Sequence, residues 1–148
     1  MIIWIDGDSC PKEIKEIVYK TAIRKNLKLN YIANSYHRIP QNQLFSLVIV
    51  DRSPDSADQH IIDNLDTGDI VITSDIPLAY EAVLKKASVI SPRGEGFTES
   101  NIREKLATRD LMQELRSSGT VTGGPRPTQA KDSMAFSNAL DRLLHQKK

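Results

Sequence analysis

This 148-residue chain has a single cysteine, few aromatic residues, no long apolar run and almost no net charge. Each absence excludes something. Cys10 alone cannot form an intrachain disulfide, and one free thiol is compatible with a reducing compartment. No Cys/His spacing points to zinc. No apolar stretch approaches the length needed to span a bilayer. The apolar run at the N-terminus is broken at once by Asp6, unlike the hydrophobic region of a secretory signal. The expectation is a cytoplasmic protein with no membrane association. Aromatics make up 5% of the chain, and Trp4, four Tyr and three Phe form no stripe on which bases could stack. The formal charge of +1 does not announce a nucleic-acid binder. Its distribution is uneven: residues 1–91 hold 10 Lys/Arg against 12 Asp/Glu, or −2, and residues 92–148 hold 10 against 7, or +3. A difference this small is also within the reach of chance.

What is present fits one domain over residues 1–148, with 39% hydrophobic and 26% charged residues and length enough for a core. Residues 2–5 are β-branched and aromatic and predict a buried strand. Asp8 or Ser9 can cap a following helix with Pro11 near its first turn and Ile14, Ile17, Val18 and Ala22 on its apolar face. Strands are predicted at Leu29–Ala33, Leu44–Val50, Asp69–Thr73 and Ala87–Ile90. Helices carrying Ile61, Ile62 and Leu65, and then Leu78, Ala82 and Val83, fall between them. Strands alternating with helices predict an α/β fold of three layers, with a mostly parallel sheet of four to five strands. Residues 92–148 predict a helical extension. Thr98 can cap a helix towards Ala107, a further helix runs to Arg116, a breaker-rich flexible loop covers 117–129, and a last helix spans Ala130–His145.

Acids cluster where such a fold would use them. Asp6 and Asp8 follow the first strand, Asp55 and Asp58 follow the third, and Asp75 follows the fourth. Ligands of open α/β sheets bind at the carboxyl ends of the strands. Several carboxylates gathered there repel one another unless a cation sits among them, and an oxygen-only set suits Mg²⁺ or Mn²⁺. Asp6 and Asp8 are two apart and could reach one ion from an extended segment. Helix capping accounts equally well for Asp8, and also for Asp75 or one of Asp55 and Asp58. Asp69 precedes its strand, belongs to the opposite end of the sheet and is excluded. Asp63 and Asp66 read as solvated. Arg93, in Pro92-Arg93-Gly94-Glu95-Gly96, and Arg126 could hold phosphates, although ordinary surface loops would look the same. Arg109 belongs with the common helix-surface arginines. His37 and His60 show no partner spacing. Cys10 reads as a small buried hydrophobe more readily than as an activated thiol.

These residues resemble the YaiI/YqxD family of uncharacterised bacterial proteins, which is in turn similar to PIN-like and NYN nuclease domains. The resemblance covers nearly the whole chain. It rests on Asp6-Gly7-Asp8-Ser9-Cys10-Pro11, Asp55-Ser56-Ala57-Asp58, the run Gly68 to Ala79, Pro92-Arg93-Gly94, Arg109, Arg116 and Gly123-Gly124-Pro125. The family pattern has alanine where this chain has Gly7 and Ser9, and an Asp-Arg pair where this chain has Asp132-Ser133. The resemblance implies a PIN-like site with Asp6, Asp58 and Asp75 on a metal and Asp8 and Asp55 as auxiliaries. The leading expectation is a Mg²⁺- or Mn²⁺-dependent nuclease acting on RNA, with Asp6, Asp58 and Asp75 catalytic, Asp8 a further metal ligand, and Arg93, Arg109 and Arg126 on the phosphate backbone. Three alternatives stand beside it. One is a haloacid-dehalogenase-type phosphatase with Asp6 as nucleophile and Asp8 as general acid. Another is a receiver domain using Asp6, Asp51 and Thr73, disfavoured because Ser91-Pro92 stands where a lysine is needed. The third is a non-catalytic RNA- or protein-binding module.

Overall fold

The computed structural model describes residues 1–53, 55–117 and 129–146, with the side chains of Arg116 and Ser117 excepted. Arg126, Gly123-Gly124-Pro125 and nearly all of the expected loop over 117–129 lie outside the described residues. The elements run β1 (Ile2–Asp6), α1 (Lys12–Lys25), β2 (Lys28–Ala33), β3 (Phe45–Ile49), α2 (Ser56–Asn64), β4 (Ile70–Ile72), α3 (Ile76–Leu84), β5 (Ser88–Ile90), β6 (Gly96–Phe97), α4 (Glu99–Ser117) and α5 (Ala130–Gln146).

The strands form one sheet in the order β3-β2-β1-β4-β5-β6, parallel except for β6. The sheet therefore has six strands rather than the four to five expected. Gly96–Phe97 is too short to carry a period, and only its antiparallel pairing with Val89 and Ile90 makes it a strand. The expected break near Ala107 is also absent. α4 is continuous over 19 residues because neither Gly nor Pro interrupts it, and its start is a reciprocal cap. The Asn101 N–H donates to Thr98 Oγ1 at 3.2 Å, and the Thr98 N–H donates to Asn101 Oδ1 at 2.9 Å.

Alternation along the strands builds two apolar layers. Ile3, Ile5, Leu29, Tyr31, Ile70, Ile72 and Ile90 face Ile14, Val18 and Ala22 of α1 and Phe136 and Leu140 of α5. Trp4, Ile32, Val71 and Val89 face Ile61 of α2, Leu78 and Ala82 of α3 and Ile102 of α4. Gly94 seats α5 on the sheet. Its φ is +85°, and a Cβ there would lie 2.7 Å from the Ala135 backbone.

The amino ends of β1 and β4 are fastened by one buried carboxylate. Asp69 Oδ1 accepts the Ile2 N–H at 3.0 Å, and Oδ2 accepts both Trp4 Nε1–H and the Asp66 N–H at 3.0 Å. Asp69 is 3% exposed and lies, as expected, at the end of the sheet opposite the other acids. Asp69→Ala orphans these three donors. It is expected to cost about 3 kcal/mol of stability. Asp69→Asn keeps one acceptor oxygen and should cost about half as much. Urea unfolding midpoints of the two variants check the graded loss.

Candidate metal centre

In the β1–β4 register Trp4 lies beside Val71 and Ile5 beside Ile72. One step further, Asp6 comes beside Thr73, on the face that carries α2 and α3. The chain order reverses here, with β2 to one side of β1 and β4 to the other, so this is the switch-point crevice of the sheet. Asp6 is 6% exposed. Its Oδ2 accepts Thr73 Oγ1–H at 2.8 Å and Ser9 Oγ–H at 2.9 Å. Thr73 Oγ1 also accepts the Asp75 N–H at 2.9 Å, so one fully buried hydroxyl joins the ends of the two strands. Burial raises the Asp6 pKa; the bonds from Thr73 and Ser9 oppose this, and the charges of Asp75 and Asp8 reinforce it.

Asp58 enters from the first turn of α2. Burial pushes its carboxyl up to about 7, with further contributions from the charges of Asp75 and Asp6, a hydrogen bond with Asp75 and the charge of Asp55. Three carboxylates from three elements therefore act on one another. Asp75 has a second task, since its Oδ1 caps α3 by accepting the Leu78 N–H at 3.0 Å. Asp55 stands at the N-cap of α2 without a capping bond from its side chain. With Asp58, Gln59, Pro77, Leu78 and Glu81 it lines a hollow of about 260 Å³. Among the described residues, no three His, Cys, Asp or Glu side chains are gathered closely enough to hold a metal ion as they stand.

Asp8 turns to other partners. Oδ2 accepts the Asn34 N–H at 2.9 Å, and Oδ1 lies 3.5 Å from His37 Nε2. His37 Nδ1 is 2.5 Å from the Tyr31 hydroxyl. The Tyr31 ring fills the space over Gly7, where a Cβ would come within 2.3 Å of Cε1. The glycine at this point of the motif thus belongs with the tyrosine beneath it.

Arg93 occupies the β5–β6 turn, its N–H on Ser91 Oγ at 3.2 Å. Arg109 pairs with Asp110 at 3.3 Å and lines a groove of about 590 Å³ with Ile76, Glu95, Asn101 and Lys105. That groove reaches Ile76, the residue after Asp75. Asp51 sits beyond edge strand β3, two strands from β1, where it accepts the Ser53 N–H at 2.9 Å and the Ser56 hydroxyl. The order 2-1-3-4-5 would have brought Asp51 to Asp6, and this sheet does not have it. The receiver arrangement fails on that ground. Burial pushes the Cys10 thiol up to about 12, so it is an inert buried group. Sequence reasoning did not assign Ser9 or Tyr31 to the site and left His37 without a partner. Only Asp6 itself gave a sign, since a carboxylate directly after an apolar strand needs a partner, which here is supplied by Ser9 and Thr73.

A family model described as "Uncharacterized BCR, YaiI/YqxD family" matches residues 4–146. "UPF0178 protein lpl0088" of Legionella pneumophila (strain Lens) is 45% identical over the whole of both chains. The "UPF0178 protein" of Maridesulfovibrio salexigens is 48% identical over 97% of this chain and 95% of its own. "UPF0178 protein Shewmr4_1560" of Shewanella sp. (strain MR-4) is 48% identical over 96% of this chain and 95% of its own. No solved structure matches. The chain belongs to the YaiI/YqxD family.

The raised Asp58 pKa fixes the sign of a pH effect. In the unfolded chain this carboxyl titrates at about 3.9, and in the folded protein at about 7. Between these values the folded state holds the extra proton. Its contribution to stability is full below the lower value and lost as pH rises through the upper one. Without divalent metal, Asp58→Asn is therefore expected to stabilise the protein at pH 8 by about 1–2 kcal/mol, allowing for solvent screening of a half-buried group. The gain should vanish towards pH 4. Thermal melting in a chelator at both pH values measures it.

Proposed function

We propose that this member of the YaiI/YqxD family is a Mg²⁺- or Mn²⁺-dependent nuclease acting on RNA, with a PIN-like arrangement of Asp6, Asp58 and Asp75. The observation that supports it is the gathering of Asp6, Asp58 and Asp75 from three elements at the switch-point crevice, near enough that burial and the charges of the other two raise the Asp58 pKa. A fold that brings such groups together is destabilised by their repulsion, and a hard divalent cation removes that repulsion. The donor set fits such an ion, being anionic and all oxygen, with no thiolate or imidazole among the three. Asp6, Asp58 and Asp75 would hold it after side-chain movement, with Asp8 and Asp55 adding to the negative field. When bound, the cation supplies compensating charge and Lewis acidity towards phosphoryl oxygens.

The chain's own groups do the rest. Ser9 and Thr73 hold Asp6 by one oxygen and fix its orientation. The Thr73 hydroxyl also sets the backbone of Asp75. Arg93, in the β5–β6 turn, and Arg109, in the groove that reaches Ile76, would contact the phosphate backbone. Asp8, engaged by Asn34 and His37, is poorly disposed to serve as the general acid of a phosphatase, which favours the nuclease reading over that one.

Calorimetric titration with Mn²⁺ should show binding to the native protein and none to the Asp6/Asp58/Asp75→Asn triple variant. Cleavage of single-stranded RNA in Mn²⁺ should fall at least a hundredfold in Asp58→Asn. Equal Mn²⁺ affinity in the native and triple-variant proteins would overturn the reading.

A further inference from the structure

A second hollow opens at the same end of the sheet, on the face covered by α1. Its volume is about 280 Å³, and it is lined by Lys12, Lys15, Glu16, Tyr19, Tyr31, His37 and Arg38. Three cations meet one carboxylate there. Lys12 and Lys15 come from the first turns of α1, and Arg38 comes from the segment after β2. The chain as a whole gives no hint of this, because its charges nearly cancel.

The cations are not consumed by the fold. Among the described residues neither Lys12 nor Arg38 is in an ion pair. The Lys15 ammonium stands 5.1 Å from the centroid of the Tyr31 ring, which positions it without neutralising it. Tyr31 is itself fixed, because its hydroxyl meets His37 Nδ1 at 2.5 Å and donates to the Gly7 carbonyl at 3.5 Å. A fixed wall carrying exposed ammonium and guanidinium groups suits a compact polyvalent anion. The hollow is also slightly smaller than the roughly 300 Å³ at which pockets begin to enclose a whole small ligand, so it suits part of a larger one.

The hollow adjoins the carboxylate centre. His37 in its wall lies 3.5 Å from Asp8, and the charge of Asp8 acts on Asp6. The turn from Asp6 to Ser9 lies between the two, with acids on one face of the sheet and cations on the other. We infer that Lys12, Lys15 and Arg38 form a phosphate subsite, holding a phosphate group of the RNA strand that crosses the end of the sheet to the carboxylates. The identity of the strand rests on the nuclease reading; the subsite is tested without it.

The test uses the full chain in a chelator, so that no cleavage takes place. Binding of a 3′-labelled single-stranded RNA is followed by fluorescence anisotropy over a range of salt. Lys12→Ala/Arg38→Ala is expected to weaken binding about tenfold and to make the slope of log K against log salt shallower by about 1.4, from two lost phosphate contacts on a single strand. Lys25→Ala, at the far end of α1, removes one charge and should leave both values unchanged. Inorganic phosphate should compete with the RNA for the native protein and much less for the double variant. A 5′-phosphorylated RNA binding more tightly than its 5′-hydroxyl counterpart, in the native protein only, assigns the pocket to a strand end. Equal binding of the two, both weakened by the double variant, assigns it to an internal phosphodiester. Native affinity and salt slope in a double variant that melts normally would overturn the subsite. Loss of RNA binding in that variant, with no Mn²⁺-dependent cleavage by the native protein, would leave the subsite standing and remove the nuclease.

Discussion

Asp69 fastens β1 to β4, and the geometry at the other end of the sheet follows from the register it helps to set. By accepting the backbone N–H of Ile2 and the indole N–H of Trp4, it ties the start of the first strand to the turn before the fourth. Four residues along, the same alignment delivers Asp6 to Thr73. A slip of one residue would turn Trp4 and Asp6 towards α1 and empty the crevice. The carboxylate that carries no proposed chemistry is thus the one on which the position of the others rests.

The two ends of the sheet show two solutions to a buried carboxylate. Asp69 takes three donors, from Ile2, Trp4 and Asp66, and is structurally complete. Asp6 takes hydroxyls from Thr73 and Ser9 on one oxygen and faces other acids instead of cations. Asp58 has Asp75 as its side-chain partner, and two carboxyl groups share a hydrogen bond only when one of them keeps a proton. An arrangement kept for stability alone would have placed an arginine here or left the position apolar. Where that proton is lost the repulsion inside the crevice is left uncompensated, and this is the physical argument behind the proposed cation.

Much of this was legible in the sequence. Apolar runs closed by acids gave β1 and β4 and named Asp6 and Asp75, and the position of Asp69 ahead of its strand correctly separated it from them. β6 was invisible because two residues carry no period. The continuity of α4 was missed although no breaker interrupts it. The larger omissions are tertiary. Lys12 and Arg38 are 26 positions apart, and each alone is an ordinary exposed cation. His37 had no partner at any meaningful spacing, because its partners Tyr31 and Asp8 are assembled by the pairing of β1 with β2. Gly7 reads as a neutral departure from the family's alanine until the Tyr31 ring is seen to occupy the space above it.

The same distribution bears on how an acidic centre could meet a polyanion. Asp6, Asp55, Asp58, Asp75 and Glu81 make the α2–α3 side of the strand ends repulsive to phosphate, and a net charge of +1 gives little long-range attraction to offset this. Lys12, Lys15 and Arg38 lie across the sheet end, close to Asp8 through His37 but outside the acidic crevice. A strand held there would approach the carboxylates tethered, and a tethered group needs far less intrinsic attraction than a free one. Separating the attractive groups from the acids also leaves the crevice anionic enough to hold a cation, which lysines placed among the acids would prevent by neutralising them. On this view, the near-zero net charge is the sum of two opposed local fields with different tasks.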